Sequence, residues 1–115
     1  MWDFDIQNGV LIGYSGELPN ELHIPEDVSI IAKGVFRGVS IQELYIPRTV
    51  EDIQEDAFME CNELHQVYFD FGSNIRCLGN RSFYCCKSLI TIETKDLHIV
   101  FITIEQPKLI RNIRV

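Results

Sequence analysis

The sequence predicts a solenoid: a strand-dominated α/β chain of about three stacked coils of 22–25 residues, closed at its N-terminus by a β-hairpin. Three observations carry this reading. "IPEDVSIIAKGVFRGV" (Ile24 to Val39) returns 22 residues later as "IPRTVEDIQEDAFMEC" (Ile46 to Cys61), with five of sixteen positions identical. The identical residues are stiff or apolar: Ile, Pro, Val, Ile and Phe. A third, looser copy follows, in which Phe83 takes the place of Phe36 and Phe58.

The N-terminal stretch Phe4-Asp5-Ile6-Gln7-Asn8-Gly9-Val10-Leu11-Ile12 alternates apolar residues around Asn-Gly. That pair supplies the positive φ angles of a two-residue hairpin turn. Residues 3–14 therefore read as a hairpin, and residues 3–19 as a cap over the first coil.

Residues 20–94 hold the repeats. "LHI", "LYI" and "VYF" alternate inward and outward, the period of a short strand. A proline after the first two strands ends their ladder bonding, because it has no N–H. Val50 and Ile53 point inward on the return path, as Ile31 and Leu78 do in the neighbouring copies. "QEDAFMEC" places Ala57, Phe58 and Cys61 at helical spacing, about one turn of helix. Leu64 and Leu89 follow Phe58 and Phe83 by six residues, and Cys61 and Cys86 follow them by three. The expected repeat core is Ile31, Phe36, Ile53, Phe58, Cys61, Leu64, Leu78, Phe83, Cys86 and Leu89. One such unit cannot bury its own apolar face, so the coils must stack, at about 4.8 Å per coil. Asp70 to Asn74 replaces Pro47-Arg48-Thr49, a two-residue insertion at a turn, where added length costs little.

The spacing L-x-x-I-x-I-P-x-x-V-x-x-I-x-x-x-A-F-x-x-C-x-x-L, met by Leu44 to Pro47, Val50, Ile53, Ala57, Phe58, Cys61 and Leu64, resembles the BspA-like leucine-rich repeat. The first copy departs from it at Val39, and the third lacks the proline and has Ser82 for alanine. The resemblance implies a leucine-rich-repeat solenoid and a protein-binding module, with relatives that are often surface or secreted proteins used in adhesion. After Ile92 the pattern lapses: "LHIVFITIE" reads as a strand and "KLIRNIRV" as a strand or a short helix. Residues 95–115 are either a cap or a degenerate coil, and the whole chain, 1–115, reads as one domain.

The net charge is −7, which argues against nucleic acid as a partner. The charge is uneven: residues 1–70 hold 14 of the 17 acids and 3 of the 10 basic residues. No apolar run approaches the ~20 residues of a membrane span. MWDFDIQNG has neither a basic nor an apolar leader segment, so the chain reads as cytosolic if complete, and as surface or secreted if cut from a longer protein.

Catalytic signals are lacking. His23, His65 and His98 are not spaced as metal ligands, the four cysteines form no C-x-x-C pair, and no phosphate loop or nucleophile motif appears, so neither an enzyme nor a cofactor is expected. Stacking would bring Cys61 and Cys86 to about 5 Å, within disulfide reach. The competing and favoured reading is two buried thiols acting as small apolar residues.

The outward strand positions are the candidate site. His23, Tyr45, Tyr68 and Glu93 form one stripe, and Glu21, Glu43, Gln66 and Thr91 a second beside it. Large, stiff, amphipathic rings suit binding of another protein. They equally suit cross-strand pairs that steady a sheet. Tyr45 and Tyr68 are the expected anchors, with His23, Glu43, Gln66 and Glu93 around them. The alternative is a structural unit, or a fragment of a longer array, that self-associates end to end through its C-terminal coil.

Overall fold

The computed structural model describes residues 2–79, 81–89, 91–93 and 112–114. Sheet-forming residues dominate, and among the described residues no helix forms. The first two strands, β1 (Trp2–Gln7) and β2 (Val10–Gly16), make an antiparallel hairpin. Asn8 and Gly9 turn it with φ of 51° and 79°. The register shifts by one residue between Asp5 and Ile6, a β-bulge.

Each coil then contributes one strand to each of two sheets. The first sheet runs β10 (Asn112–Arg114), β9 (Thr91–Glu93), β7 (Gln66–Phe69), β5 (Glu43–Ile46), β3 (Glu21–His23), all parallel. The second runs β1, β2, β4 (Ile30–Ile31), β6 (Asp52–Ile53), β8 (Cys77–Leu78). The hairpin caps the stack by adding β2 to β4 in parallel, Val10 against Ile30 and Leu11 against Ile31. Leu11 is thereby fully buried. Residues 95–111, which carry most of the C-terminal cap or degenerate coil, lie outside the described residues, as do Asn80, Ile90 and Thr94. The segment 112–114 is a strand, placed beside β9 with Asn112 opposite Thr91.

The core is built as rows, one side chain per coil. Leu22, Leu44 and Val67 form one row, and Ile24, Ile46 and Phe69 the next. Val28, Val50 and Ile75 mark the return path, followed by Ile31, Ile53 and Leu78. Three residues separate Ile46 from Val50, but five separate Phe69 from Ile75, so the insertion is absorbed in the turn and both rows stay in step. The rings of Phe36, Phe58 and Phe83 stack with centroids 5.2 and 5.3 Å apart and planes within 15°. Tyr14 of the hairpin continues that stack over Phe36 at 5.5 Å, and Phe4 meets Phe36 edge-on at 6.0 Å. The large ring faces are thus covered at the N-terminal end of the stack.

The turn of helix expected over "QEDAFMEC" is corrected: the segment is a run of turns. Asp56 and Glu60 sit at φ of 59° and 61°, left-handed values that no α-helix accepts. Ala57 N–H donates to Gln54 O and Met59 N–H to Asp56 O, while the alternate amides of Phe58 and Glu60 point outward to Ser82 O and Tyr84 O of the next coil. Bonding between coils displaces the intrahelical ladder. The same left-handed positions recur as Gly34 and Gly38 in the first coil and as Arg81 and Cys85 in the third.

All four cysteines are free thiols. Cys61 is fully buried and donates to Phe36 O at 3.2 Å; Cys86, expected in the core, is only half-buried and donates to Phe58 O at 3.1 Å. The neighbouring Cys86 sulfur, and then burial, push the Cys61 thiol well up from its ordinary value, so it stays protonated.

Candidate functional site

The first sheet turns its outward side chains into two stripes, because parallel in-register pairing repeats each side chain directly above its equivalent. Glu21, Glu43 and Gln66 are register partners along one stripe, and the backbone of Thr91 pairs next to Gln66. His23, Tyr45, Tyr68 and Glu93 are partners along the other. The rings lie face to face: His23 on Tyr45 at 4.2 Å and 3°, Tyr45 on Tyr68 at 4.6 Å and 8°. Strand spacing sets these distances, so the stack follows from the pairing rather than from the rings themselves. Its outward presentation is ring edges and polar tips.

Hydrogen bonds tie the two stripes together. His23 Nε2 lies 2.8 Å from Glu21 Oε1, and Tyr45 Oη donates to Glu43 Oε1 at 2.8 Å. Gln66 Nε2 donates to Glu93 Oε2 at 3.3 Å. His65 reaches Glu43 Oε2 at 3.9 Å from the strand entrance. Each carboxylate of the stripe is thus engaged by a neighbour, which limits the rotamers of the side chains on this face.

The Tyr45 hydroxyl is pushed well above a tyrosine's ordinary value, first by its bond to Glu43, then by partial burial and the nearby Glu21 and Glu43 charges. The folded value is raised, so the fold favours the neutral phenol. That contribution is whole below the ordinary value of about 10 and is lost as pH rises through the raised one. Ultraviolet titration should show the Tyr45 phenol ionising late, well above a tyrosine's ordinary value. Tyr45→Phe should delete this late phenol, and Glu43→Gln should move it down; a titration unchanged by Glu43→Gln would contradict the assignment.

Where the strands of this sheet end, the stack borders a groove of about 410 Å³. His23, Tyr45 and Tyr68 line it together with Pro47, and Glu26 and Asp70 are the acidic residues of its lining. The sequence pattern did not place Glu26, Pro47 or Asp70 at the site. The signal was available: each follows closely on an outward ring in the aligned copies, at the point where the strand turns away. The left-handed positions also had a signal, Gly34 and Gly38 in the first copy, which mark where the backbone needs positive φ.

Among the described residues no group of three or more His, Cys, Asp or Glu side chains stands together in a way that holds a metal ion. No helix among them is long and apolar enough to cross a membrane. A family model described as "BspA type Leucine rich repeat region (6 copies)" matches residues 14–106. No curated protein and no solved structure matches the chain.

Proposed function

The chain belongs to the BspA-type leucine-rich-repeat family, and from that premise we propose that it is a non-catalytic module whose first sheet binds another protein. The observation that carries this reading is the His23–Tyr45–Tyr68 stack, half-exposed, bordering a groove and braced by hydrogen bonds. Rings that are already ordered lose little conformational entropy on contact, so more of their apolar contact appears as affinity. Tyr45 and Tyr68 act as anchors; His23, Glu43, Gln66 and Glu93 supply the polar surround. Adhesion at a surface is the setting that fits the family resemblance.

The test is capture on immobilised protein. Wild type, Tyr45→Ala/Tyr68→Ala and Tyr45→Phe/Tyr68→Phe are exposed to the same mixture of lysate and cell-surface proteins. A partner held by wild type should be weakened at least about tenfold by the alanine pair, as loss of hot-spot rings does, and less by the phenylalanine pair. The alanine pair should cost only about 1 kcal/mol in stability, the scale of cross-strand contacts. Equal retention by all three would remove the face from consideration. Retention only of the chain's own copies would favour end-to-end assembly instead.

A further inference from the structure

We propose that the groove beside the ring stack receives a basic segment of a partner protein, carrying arginine or lysine at two nearby positions, with Glu26 and Asp70 as the charge contacts. This rests on the protein-binding reading of the same face and adds the chemistry of the partner.

The two carboxylates that line the groove are Glu26 and Asp70, and no lysine or arginine among the described residues lines it. Glu26 and Asp70 are exposed, and neither has an ion pair among the described residues. Three arginines elsewhere are already committed: Arg37 pairs with Glu60, Arg76 with Glu51, and Arg81 with Glu55 and Asp56. Arg48 follows Pro47 in the chain but is not among the groove's walls. The imidazole in the wall, His23, is held by Glu21. Farther out along the strands stand Glu21, Glu43 and Glu93, which extend the negative field over the sheet. Such a field raises the encounter rate of a cationic segment and repels nucleic acid.

The walls suit the rest of a basic side chain. Lysine and arginine carry long apolar stems that pack on ring edges while the charged head reaches a carboxylate. Tyr45 and Tyr68 present such edges, and Ile46 and Phe69 lie buried beneath. Glu26 and Asp70 are exposed, so each makes only a modest charge-assisted contact with a cation, and it is the pair acting together that selects the segment. Glu26 belongs to the first coil and Asp70 to the third, two coil spacings or about 10 Å apart. An extended segment covers that distance in about three residues. The partner therefore carries two basic residues roughly three positions apart.

The probe is a fluorescein-labelled decapeptide of Gly, Ser and Pro with two arginines three positions apart, followed by fluorescence anisotropy. The same peptide with citrulline keeps shape and removes charge. Saturable binding by wild type is expected, at least tenfold weaker with Glu26→Gln/Asp70→Asn. It should stay within about twofold with Asp5→Asn/Glu17→Gln, the same charge change placed on and beside the hairpin. Equal loss with both pairs would reduce the effect to diffuse attraction and overturn the site. Equal binding of the citrulline peptide, or no saturable binding at about 1 mM, would overturn it too. Unfolding midpoints of all variants confirm that each is folded. A captured partner lost by Tyr45→Ala/Tyr68→Ala yet kept by Glu26→Gln/Asp70→Asn would leave the binding face standing and remove its basic ligand.

Discussion

Replacing Phe58 by alanine should lower stability by about 4 kcal/mol, close to the whole stability of a small domain. Phe58 is fully buried and is the middle ring of the row, with Phe36 and Phe83 stacked on its two faces. Removing it empties the space between two other rings, and both lose a stacking partner worth about 0.5–1.5 kcal/mol beyond area. The site has little freedom to collapse, because the flanking backbone is tied to the neighbouring coils: Phe36 N–H donates to Ala57 O, and Phe58 N–H to Ser82 O. Urea unfolding followed by far-ultraviolet circular dichroism is the check. Phe58→Leu, which keeps most of the volume but loses both ring stacks, should cost about 2 kcal/mol, less than Phe58→Ala. If Phe58→Ala cost less than about 1 kcal/mol, the row would not be the spine of the fold.

The second large effect is expected at Gly79. A Cβ built there would stand 2.6 Å from the Gln54 carbonyl carbon and 2.9 Å from Glu55 Cα. These are backbone atoms of the previous coil and have no rotamer by which to move aside. Gly79 N–H also donates to Ile53 O at 2.7 Å, so backing away breaks a ladder bond. Gly79→Ala should cost about 2–3 kcal/mol, the range of overpacking in a rigid setting, and lower the melting midpoint by roughly 10 °C. Gly38 is the contrast. Its φ is +74°, but nothing lies within 4 Å of a Cβ there. Gly38→Ala should cost only the left-handed penalty, about 1–2 kcal/mol. Differential scanning calorimetry of the two variants separates close approach from backbone strain; a milder loss at Gly79 than at Gly38 would reverse the assignment.

The two effects share a cause. A solenoid binds each residue to its equivalents one coil away, so a single altered position disturbs two interfaces. The sheet face is more tolerant, because its side chains meet water on one side. Stability and the proposed binding are therefore separable: core rows and close glycines carry the first, and the proposal assigns the second to outward rings and carboxylates.

The sequence by itself determined the repeat, its period, the inward rows and the Asn-Gly hairpin. These are written in apolar spacing, which survives translation along the chain: Ile31, Ile53 and Leu78 could occupy one row only if the coils stack in register. It also determined which side chains share a stripe, since Tyr45 and Tyr68 stand at equivalent positions of consecutive copies. What only the tertiary structure decided depends on contacts between coils. The segment around Phe58 has helical spacing, yet it folds as turns, because Phe58 and Glu60 amides find carbonyls on the next coil. The groove joins Glu26 and Asp70 across two coils, and no local pattern links residues 44 positions apart. Gly79 matches Ala32 and Gln54 in the aligned copies, and only the approach of a neighbouring backbone shows why it carries no side chain. Periodicity is a property of one chain direction and is legible in sequence; close approach between coils is a property of three-dimensional packing and is not.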